Sequence, residues 1–82
     1  MRKNLEKKIS DFVGKGGLIP FEHGYKNIIY YKGKKVWGVS DTHLYFNGGS
    51  VELSDQTNLS NDDLKDIYNT LVDYLEYCKK EA

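Results

Sequence analysis

Residues 27–53, NIIYYKGKKVWGVSDTHLYFNGGSVEL, decide the fold. Runs of β-branched and aromatic residues alternate here with turn residues, the pattern of short antiparallel strands. The spacing predicts a four-stranded meander with strands at 27–32, 35–40, 43–46 and 51–53. Gly33, Asp41-Thr42 and Asn47-Gly48 supply the turns, and Asn-Gly predicts a type I′ hairpin. Cross-strand partners share a face. Strict alternation then places Ile28, Tyr30, Trp37, Val39, Leu44, Phe46, Val51 and Leu53 together. This set is almost purely apolar and is expected to be the core face. The opposite face is expected to carry Ile29, Tyr31, Lys34, Val36, His43 and Tyr45, with polar Asn27, Ser50 and Glu52 around them.

Helical periodicity flanks the meander on both sides. Leu5, Ile9, Phe12 and Val13 form one stripe, predicting a helix over about 3–13, with Gly14 as its left-handed C-terminal residue. Ser60-Asn61-Asp62-Asp63 resembles a capping box. Leu64, Ile67, Tyr68, Leu71, Leu75 and Cys78 follow at helical spacing, predicting a helix over about 61–80. Asp62, Asp63 and Asp66 lie in its first turns and Lys79 and Lys80 in the last, which suits the helix dipole. Leu18-Ile19-Pro20-Phe21 reads as an apolar connector, because Pro20 excludes a central strand. The expected fold is therefore α+β: a two-layer sandwich in one domain over 1–82. A four-stranded antiparallel sheet carries an N-terminal and a C-terminal helix on one face.

Composition narrows the function classes. The chain has 82 residues, one Cys and zero formal net charge. A domain of this size has little area left over for an enclosed substrate pocket, so an enzyme is not expected. One Cys cannot form an internal disulfide, no secretory signal is visible and no run approaches the ~20 apolar residues of a membrane span, so a cytoplasmic setting is expected. The zero charge conceals a split. Residues 1–38 hold nine Lys/Arg and three acids (+6), and residues 39–82 hold three Lys and nine acids (−6). Eleven of the twelve basic residues are Lys, and Arg is the usual reader of phosphates and guanine edges.

Chemical motifs are weak. Gly14-Lys15-Gly16-Gly17 follows a helix and lacks the Ser/Thr of a phosphate loop. Ser40, Asp41, Thr42 and His43 contain the groups of a hydrolase, but neighbours on one strand edge project alternately and cannot align as a triad. Glu22, His23, Asp41, His43 and Cys78 lack the paired spacing of a structural zinc site, so neither metal nor cofactor is expected. Cys78 lies on the core stripe. The element order is that of a double-stranded RNA-binding domain. Such domains begin their second helix with a Lys cluster, where this chain has Asn61-Asp62-Asp63, so that family is set aside.

Two surfaces remain. One is the face centred on Ile29, Tyr31, Val36 and Tyr45, with Lys34 and His43, which two helices on the other side leave open. The other is the outer side of the last helix, with Asp62, Asp66, Asp73 and Glu76 in a row. In size and acidic surface the chain resembles small phage-encoded inhibitors, including some anti-CRISPR proteins. The expected function is thus non-catalytic protein binding, as an adaptor, regulator or inhibitor of the kind phages and mobile elements encode, with a homodimer as one option. The alternative is a nucleic-acid-binding module that uses the sheet tyrosines and the strand lysines, Lys26, Lys32, Lys34 and Lys35.

Overall fold

A computed structural model describes residues 2–22 and 24–81. His23, one of the metal-ligand candidates, lies outside the described residues. The elements run α1 (Arg2–Val13), β1 (Leu18–Pro20), β2 (Tyr30–Tyr31), β3 (Lys34–Ser40), β4 (His43–Phe46), β5 (Gly49–Glu52) and α2 (Asn61–Glu81). The sheet is antiparallel in the order β1-β3-β4-β5, and β2 also pairs with β3. The architecture is the expected α+β sandwich, with one more strand than the sequence pattern shows.

That strand is β1, expected as a connector. It pairs with β3 through Leu18↔Ser40, Ile19↔Val39 and Pro20↔Gly38. Pro20 is tolerated because β1 is an edge strand. β2 takes the other end of the same β3 edge, through Tyr30↔Lys35 and Tyr31↔Lys34. Phe21 N donates to the Trp37 carbonyl and Val36 N to the Ile29 carbonyl, so the ladder is handed from one segment to the other at the middle of β3. The expected strand at 27–32 is shortened accordingly, and the Phe21 and Tyr25 side chains pack on α2.

The turns also differ from the pattern. Tyr31↔Lys34 leaves Lys32 and Gly33 as the two turn residues, both left-handed (φ 48° and 80°), as a type I′ hairpin requires. At Asn47-Gly48 only Gly48 is left-handed (φ 108°), so that hairpin is not type I′. At the remaining turn the Ser40 hydroxyl accepts hydrogen bonds from Thr42 N (3.2 Å) and His43 N (2.9 Å).

The central correction concerns the sheet faces. Val36 pairs with Phe46, but Gly38 pairs with Tyr45, so β3 carries an extra residue between Val36 and Gly38. A bulge of this kind interrupts the alternation. Val36 and Val39 therefore point to the same side, and both are fully buried. Trp37, expected in the core, is 40% exposed, and Tyr30 is 67% exposed. Val36, expected on the open face, lies in the core. Ile29 and Tyr31 are half-buried and pack against the core. Lys34 sits with them on the helix side, its Nζ 5.7 Å from the Phe46 ring centre. The strands grouped as expected within the first hairpin, but the group that faces inward is the opposite one.

One core joins Val36, Val39, Leu44 and Val51 of the sheet to Leu5 and Ile9 of α1 and to Leu64, Ile67 and Leu71 of α2. The helices meet at an edge-to-face contact of Phe12 and Tyr68, 5.9 Å between centroids. The α2 stripe departs from expectation near its end. Tyr74 is buried and Leu75 is exposed, because Phe21 and Tyr25 receive the Tyr74 ring at 5.2 and 5.1 Å. Arg2 ties the first turn of α1 to the β5–α2 connection. Its Nη1 donates to the Leu59 carbonyl (2.7 Å) and its Nη2 to the Leu53 carbonyl (2.9 Å).

Candidate functional site

The pairing register defines the outer face of the sheet residue by residue. Tyr30 shares it with Lys35, Leu18 with Ser40, His43 with Glu52, and Tyr45 with Ser50. The bulge adds Trp37 beside Tyr45. Their rings lie 5.2 Å apart at 30°, and the His43 ring follows Tyr45 at 6.0 Å and 27°. Three rings thus form one tilted stack across β3 and β4. Gly38 makes this possible on its other side. A Cβ there would lie 3.3 Å from the Ile19 carbonyl oxygen and 3.4 Å from Leu18 Cδ1, so glycine lets β1 approach closely.

This face gathers the exposed apolar surface of the molecule. Among the described residues the large hydrophobic side chains left exposed are Leu18, Tyr30, Trp37 and Leu75, and the first three share the outer face. Its charges are few. Lys35 stands at one end and Glu52 at the other, with His43 Nε2 3.9 Å from Glu52 Oε1. Of the sequence candidates for the open face, His43 and Tyr45 lie on it. Ile29, Tyr31, Lys34 and Val36 do not. Trp37, Tyr30 and Leu18 replace them. The signal for the replacement was Gly38, since a glycine inside a strand marks a bulge or a close backbone approach.

The acidic helix forms a second surface. Asp66, Asp73 and Glu76 line open clefts between α2 and residues 24–32, of about 350 Å³ beside Tyr31 and Lys32 and about 500 Å³ beside Lys26 and Tyr77. Asp62 is exposed and lies apart from these clefts. Two of the row, Asp73 and Glu76, are engaged within the fold. The Tyr25 hydroxyl donates to Asp73 Oδ2 at 2.5 Å, and Asn27 Nδ2 donates to the same oxygen at 3.5 Å. Glu76 pairs with Lys79 at 3.9 Å. Asp63 and Ser60 close a reciprocal capping box, Ser60 N donating to Asp63 Oδ2 and Asp63 N to Ser60 Oγ. Burial, and then the Asp73 carboxylate, push the Tyr25 phenol well above its ordinary range.

The hydrolase-like residues are used for structure. Ser40 Oγ accepts two backbone N–H groups and donates to the His43 carbonyl (3.3 Å), so it presents no nucleophile. Asp41 accepts from Gly16 N at 3.1 Å, tying the α1–β1 loop to the β3–β4 turn. His43 Nδ1 lies 2.8 Å from Thr42 Oγ1. Among the described residues no three His, Cys, Asp or Glu side chains stand together as a metal site, and no helix is long and apolar enough to cross a membrane. Comparison with protein-family models, with curated proteins and with solved structures finds no match for this chain.

Proposed function

We propose that this chain is a non-catalytic protein-interaction module that works through the outer sheet face around Trp37 and Tyr45. The observation that carries the reading is the collection of Leu18, Tyr30 and Trp37 on one face that neither helix covers. Contiguous exposed apolar surface marks interaction sites, and Trp and Tyr dominate their energetics. The strand scaffold holds these rings in place, so little side-chain entropy is lost on docking. A role as adaptor, regulator or inhibitor fits such a surface, and a cytoplasmic setting goes with a single free cysteine. Nucleic acid is the weaker occupant. The face offers one ammonium, Lys35, against the Glu52 carboxylate, whereas phosphate binding calls for a basic track.

The test is the double variant Trp37→Ala with Tyr30→Ala, assayed for folding by circular dichroism and for capture of a protein partner from the native source. Folding is expected to be retained and capture to weaken by about 2 kcal/mol or more. Intact capture by the folded variant removes the outer face as the working surface. Steep loss of binding with added salt would favour nucleic acid instead.

A further inference from the structure

The charges on the outer face stand in a self-matching arrangement. Lys35 lies on β3, one position before the Val36↔Phe46 pair, and Tyr45 lies on β4, one position beyond it. Glu52 lies on β5 opposite His43, two positions further along. Each step, Lys35 to Tyr45 and Tyr45 to Glu52, is one strand across and two residues along. With strands ~4.8 Å apart and ~3.4 Å per residue, the three fall on one diagonal roughly 17 Å long, with Tyr45 at its middle. A two-fold axis lying in the face, through Tyr45 and perpendicular to this diagonal, exchanges the Lys35 and Glu52 positions. Leu18 pairs with Ser40 on the far side of β3, two strands across and two residues along from Tyr45 in the other sense. That places Leu18 on the same axis.

We infer that the protein docked on the outer face is a second copy of this chain, related by that axis; the inference rests on the outer face being the working surface. In the dimer each Lys35 ammonium meets the partner's Glu52, so both charged ends are neutralised. Leu18 meets its own equivalent, and the Trp37 indole lands between the partner's Tyr45 and the partner's His43. The strands of the two sheets then cross at about 70°, close to the orthogonal class of sheet packing. A two-fold contact of this kind is self-complementary, which is the requirement for a closed dimer. The Glu52 side chain is 65% exposed and its contact with His43 is long, at 3.9 Å, so its carboxylate is available to the second copy. Zero formal net charge leaves no overall repulsion between copies.

Sedimentation equilibrium of the full chain, from low to several hundred micromolar, tests this. A dimer is expected for the native sequence. Lys35→Glu or Glu52→Lys alone sets like charges against each other twice per dimer and is expected to weaken association at least about tenfold. The double exchange Lys35→Glu with Glu52→Lys is expected to restore it, while circular dichroism shows all three variants folded. A monomer throughout the range overturns the inference. So does a dimer that neither single exchange weakens, or one that the double exchange fails to rescue. The broader reading fails separately. A monomeric chain that loses capture of another protein on Trp37→Ala with Tyr30→Ala keeps the interaction face and loses only the self-pairing. A variant that keeps both its dimer and its capture removes both.

Discussion

The bulge in β3 makes a sharp thermodynamic claim about two adjacent residues. Val36 is fully buried, and Val36→Ala removes two methyl groups from a packed site. At about 0.8 kcal/mol per buried carbon the transfer cost is about 1.6 kcal/mol, and the cavity left behind raises the total to about 2–3 kcal/mol. In a domain of this length that lowers Tm by about 10–20 °C. Trp37 is 40% exposed, and its ring pairs with that of Tyr45. Trp37→Ala is therefore expected to cost about 1 kcal/mol, the order of one aromatic pair. An uninterrupted strand would reverse the order, with about 3–5 kcal/mol at Trp37 and under about 0.5 kcal/mol at Val36. Urea and thermal melts followed by circular dichroism, at low micromolar protein so that association does not contribute, decide between them. A larger loss at Trp37 than at Val36 would refute the bulge and return the indole to the core.

Arg2→Met is expected to leave the Leu53 and Leu59 carbonyls without their charged donor and to cost about 1.5–3 kcal/mol in urea melts, against little or no loss if the clamp is incidental. Burial raises the phenols of Tyr25 and Tyr74 above their ordinary range, with the Asp73 carboxylate adding to the rise at Tyr25. A raised folded-state value means that their stabilising contribution is complete below about pH 10, the ordinary phenol value, and is lost as pH climbs above it. A phenolate absorbance titration is expected to show two of the seven tyrosines ionising only together with unfolding. Smooth ionisation of all seven in the folded chain would contradict the buried placement.

The helices were legible because each presents a repeated apolar stripe, and a stripe survives small errors in its ends. Leu5 and Ile9, and Leu64, Ile67 and Leu71, are where the periodicity puts them. The meander was legible from its turn residues. The face of the first hairpin was not, because strand alternation has a period of two and one extra residue inverts everything beyond it. His43 and Tyr45 lie after the bulge and kept their face. Ile29, Tyr31, Lys34 and Val36 lie before it and exchanged theirs with Tyr30 and Trp37. Gly38 was the available clue. The burial of Tyr74 in place of Leu75 had no local clue, since it depends on Phe21 and Tyr25 arriving from about 50 residues away.

The Arg2 clamp sets a timetable for the chain as it is made. The guanidinium at residue 2 closes on the carbonyl of Leu59, 57 residues later in the sequence. At ~5–20 residues per second, translation takes about 3–11 s to supply that acceptor. Through this interval α1 exists without α2, the helix it packs against most extensively. A helix of twelve residues is marginal alone, so this segment waits as a fluctuating chain rather than a formed element. Lys3, Lys7 and Lys8 alternate with its apolar positions and keep the waiting segment solvated. α1 thus gains its Arg2 clamp only once the β5–α2 connection has taken shape.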